Sequence, residues 1–242
     1  MGFEDLAFLF ACENRNRGIL RMNFDEAALL WKAVRATDGE VLEIGRRYGG
    51  STVLLLAASA TRRVTSIDLA PEHHPEVQAV FDRPEQASRL RLVVGDSRTR
   101  VAGATFGFAL IDGDHTSDGV LADVEAHWPS LAGAHAVLCA FHDAVPNRGL
   151  HPEFGMDVIG DTASRHLNQP LLTNHFVGIE CVCTELVASS VATPWGSAGS
   201  MLVLRKTGEL PADFGARVRR RLTTWGYPDG VPDLALFPVP PV

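Results

Sequence analysis

The side chains able to do chemistry fall at the ends of short apolar runs. Glu43 lies in the run 41–44, Asp68 follows 63–67, and Asp96 follows 90–94 and Gly95. Asp112 ends 106–111, and His142-Asp143 end 136–141. A single acid in such a place is usually a helix cap or a turn residue. Polar groups at five successive ends are harder to explain by capping alone, and point to one shared site.

The first end carries the most information. Glu43-Ile44-Gly45-Arg46-Arg47-Tyr48-Gly49-Gly50-Ser51-Thr52 reads as a strand end, a glycine-rich turn and a helix start. Glycines there let the backbone approach a ligand closely, and the helix presents free N–H groups to the same spot. A carboxylate at Glu43 repels a diphosphate and favours a cationic or amine-bearing ligand. This asymmetry points to S-adenosylmethionine rather than a dinucleotide, whose fingerprint also demands a glycine where Arg47 stands. Asp68 falls where a ribose-binding acid belongs, and Asp96-Ser97 are placed to meet an adenine amino group.

The elements that must position these groups alternate in type. Strands are expected at 40–44, 63–67, 90–94, 106–111 and 136–141, with helices at 51–60, 76–88 and 117–127 between them. Helical spacing also marks 3–12 and 24–36, the latter capped by Asn23 or Asp25. The expected class is α/β: a doubly wound, mainly parallel, seven-stranded sheet with helices on both faces. The last two strands are placed near 175–187 and 200–205, with a helix at 157–167. Ligands of such sheets sit beyond the carboxyl ends of the strands. Three parts are expected: an N-terminal helical cap (1–37), the main domain (38–208) and a C-terminal helix with a proline-rich tail (209–242). Within the main domain, 145–198 reads as a substrate-facing insertion followed by the late strands.

The bulk composition of the 242 residues narrows the class of partner. A net charge of −7 argues against phosphate-driven nucleic-acid binding, and Arg217, Arg219, Arg220 and Arg221 read as a solvated helix face. Cys12, Cys139, Cys181 and Cys183 lack C-x-x-C spacing and read as buried thiols, the last two on a strand. With an acidic N-terminus and no long apolar run, the expected location is the cytoplasm, away from membranes. The apolar first helix leaves a homo-oligomer open.

These segments resemble a class I S-adenosylmethionine-dependent methyltransferase, Rossmann-like in fold. Within that class the chain is similar to the bacterial macrocin- and mycinamicin-type sugar O-methyltransferases. The matching stretches are 42–52, Ser66-Ile67-Asp68, Gly95-Asp96-Ser97, Ala109 to His115, and Phe141-His142-Asp143-Ala144. Gly133-Ala134-His135 departs from the paired glycines usual in that family. The resemblance implies that Glu43 and Gly45 lie against the methionine part of the cofactor, with Gly49 and Ser51 also among the cofactor-binding residues. It further implies that Asp68 holds the ribose and Asp96 with Ser97 the adenine, Asp112 lying against the cofactor too. Asp112, His142 and Asp143 then stand where related enzymes bind magnesium. An imidazole among them suits Mg²⁺ less well, which leaves a softer divalent ion, or no ion, as the alternatives. His115, three residues after Asp112, stands at the position of the family's general base. The implied reaction is metal-assisted O-methylation of a small-molecule hydroxyl, such as a sugar on a bacterial natural product. A diverged hydroxylase-like enzyme and a non-catalytic cofactor-binding module are the alternatives.

Overall fold

Asn23 starts the first described helix. Its side chain accepts the Glu26 N–H while the Glu26 carboxylate accepts the Asn23 N–H, both at 2.8 Å. This capping box opens α1 (Phe24–Arg35), which turns Ala27, Leu30, Ala33 and Val34 inward. The structure, a computed structural model, describes residues 19–70, 72–144 and 173–229, together with Leu6. The expected helices at 3–12 and 157–167 lie outside the described residues.

After α1 the chain alternates as its apolar runs demand: β1 (Glu40–Ile44), α2 (Gly50–Ala58), β2 (Val64–Asp68), α3 (Pro75–Phe81) and α4 (Pro84–Ala87). There follow β3 (Leu90–Val94), β4 (Phe106–Ile111), α5 (Ser117–His127) and β5 (Leu138–Phe141). The single helix expected at 76–88 is two, because Arg83 precedes Pro84 and takes an extended conformation, with ψ 131°. The chain resumes with α6 (Thr173–Ala188), β6 (Ala192–Ala198), β7 (Met201–Lys206) and α7 (Phe214–Thr224).

The strand expected near 175–187 is therefore a helix, and the sixth strand follows it. Gly178 to Leu186 are all buried, so α6 is covered around most of its circumference and shows no 3.6-residue stripe. Cys181 and Cys183 are buried thiols outside any disulfide, as expected, but on this helix and not on a strand. With Cys139 of β5 they belong to the apolar layer on the α5, α6 and α7 side of the sheet.

The seven strands run in the order β3-β2-β1-β4-β5-β7-β6. The first five are parallel, and the β6–β7 hairpin joins antiparallel through β7. Alternate residues serve the two layers: Leu42, Ile44, Ala109 and Ile111 face one, Val41, Phe108 and Leu110 the other. Strand order reverses between β1 and β4, which opens a crevice beyond their carboxyl ends. No helix of the described residues is long and apolar enough to cross a membrane.

Candidate active site

Gly45 makes the crevice. It leaves β1 at φ +83°, and a Cβ there would stand 2.0 Å from the Asp112 carbonyl oxygen. Asp112 N donates to Ile44 O at 2.9 Å, so the ends of β1 and β4 are held edge to edge. Only glycine allows that approach. Gly49 then serves as the N-cap of α2, also in the left-handed region.

Glu43 lies under this turn, fully buried. One of its carboxylate oxygens accepts the Thr52 and Ser66 hydroxyls at 2.5 Å each, and Ser51 also faces it. Burial pushes the carboxyl up to about 7 against the pull of these hydroxyls. Its other oxygen, Oε1, has no partner. An orphaned, buried acceptor beside a glycine turn suits an ammonium group, which would stabilise the ionised carboxylate.

Asp68 ends β2 and accepts three backbone N–H groups: Arg46 and Arg47 on Oδ2 and Ala70 on Oδ1, all at 2.8 Å. It therefore shapes the glycine turn as well as edging the crevice. The Arg46 guanidinium is buried beneath and bonds to His73 and to the carbonyls of Ser66, Val93 and Ala70. Asp96, on the loop after β3, is paired with Arg98 at 2.6 Å, which lowers its carboxyl to about 2. Ser97 turns its hydroxyl down into the protein, onto Asp123 Oδ1 at 2.7 Å, while its carbonyl meets His127 Nε2 at 2.6 Å. Asp123 and His127, one turn apart on α5, thus anchor this loop from below.

A second cluster lies beyond β4 and β5. His115 Nε2 is 3.3 Å from Asp112 Oδ1, and its Nδ1 is 3.5 Å from Asp143 Oδ2. His142 Nδ1 stands 3.2 Å from Asp112 Oδ1 and 3.7 Å from Asp143 Oδ2. Asp143 holds its place with φ 54°, a left-handed conformation that short polar residues tolerate. Burial alone would push both imidazoles down. The carboxylates of Asp112 and Asp143 outweigh it and hold both above the ordinary histidine range, His142 well above. Burial would likewise raise Asp112, but His142 and His115 keep it below the usual carboxylate range.

The three side chains named for a divalent ion thus come together, joined by His115. They do so as donor–acceptor pairs whose polar atoms are turned onto one another. Among the described residues no group of three or more His, Cys, Asp and Glu side chains is arranged to hold a metal ion. As placed, the residues do not fit that ion.

One member of the cluster was missed in the sequence. Glu26 of α1 reaches the far side of His142, its Oε2 3.5 Å from Nε2. The N-x-x-E pattern of Asn23 and Glu26 signals a helix start and gives no hint of a second duty.

Residues 42–144 match a family model described as a methyltransferase domain. No curated protein matches the chain. Among solved structures, the chain is similar to a putative caffeoyl-CoA O-methyltransferase from Staphylococcus aureus: 13% identity, 77% of this chain and 85% of that one, TM-score 0.52. It is also similar to an SAH-bound methyltransferase from Podospora anserina, at 13% identity over 75% and 77% of the two chains, with a TM-score of 0.53. Likeness at that identity establishes the fold. The strand order is that of the class I methyltransferase, Rossmann-like fold, and the matched segment runs from β1 to just past β5.

Proposed function

We propose that this domain transfers the methyl group of S-adenosylmethionine to a hydroxyl oxygen of a small molecule, such as a sugar on a bacterial natural product. The observation that carries the reading is His115, held between Asp112 and Asp143 at the same sheet edge as the orphaned Glu43 oxygen. That pairs a candidate amine-binding carboxylate with a candidate base at one edge of the sheet. The fold of the SAH-bound Podospora anserina protein supports the choice of cofactor.

The sulfonium of the cofactor supplies an electrophilic methyl group and a thioether leaving group. The chain must bind, align and deprotonate. Glu43 Oε1 and the turn at Gly45 receive the methionine end, Asp68 the ribose and Asp96 the adenine amino group. Aligning two bound reactants can supply about 7–11 kcal/mol of the barrier. A hydroxyl is a poor nucleophile until its proton leaves. His115 takes that proton once one of its ring nitrogens turns from Asp112 or Asp143 to the hydroxyl, and a base in such a role contributes on the order of 10²–10⁴-fold. Asp112 and Asp143 orient its ring and stabilise the imidazolium formed. No step is routed through a divalent ion.

Incubation with methyl-labelled S-adenosylmethionine and a panel of glycosides tests the reading. A labelled ether on a glycoside oxygen is the expected product. Cofactor binding without transfer to any acceptor would leave only a binding module.

A further inference from the structure

Glu26 lies outside the matched segment and outside every strand end, yet several parts of the site meet on its carboxylate. Oε2 accepts the Asn23 N–H at 2.8 Å and faces His142 Nε2 at 3.5 Å. Oε1 accepts the Ser200 N–H at 2.7 Å and faces the Ser200 hydroxyl at 2.9 Å. That same hydroxyl is 2.9 Å from Asp143 Oδ1, so one proton lies between two carboxylates. His142 Nε2 is buried, and its contact with Glu26 is longer than a formed hydrogen bond. Among the described residues no other group hydrogen-bonds to that nitrogen.

Gly199 makes room for this arrangement. At φ +54°, a Cβ on it would stand 2.4 Å from Glu26 Oε1 and 2.6 Å from Asn23 Nδ2. The β6–β7 turn is therefore fitted to the carboxylate, and the two partners are 174 residues apart. A helix cap alone needs none of this. Burial of the carboxyl is offset by His142, Ser200 and Asn23, which keep it ionised.

We propose that Glu26 is a positioning residue of the transfer site. It orients the His142 ring against Asp112, and through Ser200 it sets Asp143, so both carboxylates that flank His115 take their places from α1. This rests on the methyltransferase reading given above. The role is separate from cofactor binding, because Glu26 touches none of the groups assigned to the methionine, ribose or adenine.

The test is Glu26→Gln, which keeps the volume but replaces one acceptor oxygen with a donor. Three quantities are measured: the dissociation constant for S-adenosylhomocysteine, kcat on the best glycoside of the panel, and the imidazole N–H signals of ¹⁵N-histidine protein. The expected result is cofactor affinity within about twofold of wild type and kcat lower by about 10²-fold, the scale of a small misplacement of reacting groups. The His142 imidazole signals should shift, because the ring turns against Asp112. Unchanged kcat overturns the proposal. So does a parallel fall in cofactor affinity, melting temperature and kcat, which would make Glu26 a structural residue only. If Glu26→Gln does not fold, Gly199→Ala carries the same expectation, since it displaces the carboxylate without removing it. If wild type methylates no glycoside, the functional reading fails. The His142 signal in wild type and variant then decides the placement of Glu26 by itself.

Discussion

The cofactor crevice and the acid–imidazole cluster lie at one edge of the same sheet but are built differently. The crevice is local. Glu43, Gly45, Ser51 and Thr52 come from one strand–turn–helix, and Ser66 and Asp68 from the neighbouring strand. The cluster is assembled from afar: α1, the ends of β4 and β5, and the β6–β7 turn each send in one or two side chains. The crevice leaves one buried acceptor open at Glu43, whereas the cluster turns its charges onto one another. A contiguous motif can make a receptive pocket with few long-range contacts. Holding an imidazole among carboxylates takes the whole tertiary structure.

If that contrast is right, damage to the two regions must have different signatures. The largest effect is expected at His115. Its replacement by Ala should lower turnover by about 10²–10⁴-fold while S-adenosylhomocysteine affinity stays within a few-fold. Because flanking carboxylates raise His115 above its usual 6.5, it is charged below that raised value and becomes a base only above it. The acid limb of the wild-type kcat/KM profile should therefore lie above pH 6.5, and the variant's residual activity should lose that limb. An unshifted limb, or turnover near wild type, would separate His115 from the chemistry.

Asp68→Ala should act on the other region. Each charge-assisted bond it makes to a ribose hydroxyl is worth about 1.5–3 kcal/mol, so cofactor affinity should fall by roughly 10–100-fold. Melting temperature should fall with it, because the N–H groups of Arg46 and Arg47 lose their acceptor. Calorimetry showing unchanged affinity in a folded variant would remove Asp68 from the cofactor site.

The smallest effect concerns stability and sharpens the claim that Glu43 awaits a cation. Its folded value near 7 lies above the ordinary 4.5, so its protonated form stabilises the fold. That contribution is complete below the ordinary value and is lost as pH rises through about 7. Glu43→Gln, which is neutral throughout, should gain on wild type between acid and mildly alkaline pH, by about 3 kcal/mol at most. Saturating S-adenosylmethionine should close the gap by stabilising wild type alone. Parallel unfolding curves for the two proteins across that range would show that the carboxylate carries no such burden.

Legibility in the sequence follows the same division. The first five strands, the switch-point crevice and the acids at its edge could be read, because each strand–turn–acid unit is short and its apolar run is continuous. The hydroxyls around Glu43 were only partly seen: Ser51 lies in the motif, but Ser66 was read as flanking Asp68. Asp123 went unnoticed because an acid inside a helix normally faces water, and only the fold turns it onto Ser97. Glu26 was hidden for a stronger reason. Its partner Ser200 is fixed by a hairpin whose position depended on α6, and α6 was read as a strand. A helix buried nearly all round gives no amphipathic stripe, and its alternating cysteines imitate a pleat.

Those cysteines lead to a practical end. Cys139, Cys181 and Cys183 are sealed in the layer under α6, and burial raises the Cys139 and Cys183 thiols far above their usual range. An alkylating reagent can reach them only when α6 lifts from the sheet or the domain unfolds. Their modification rate is then a clock for that opening. Read by mass spectrometry with Cys12 counted separately, it times the motion of this layer without any introduced label.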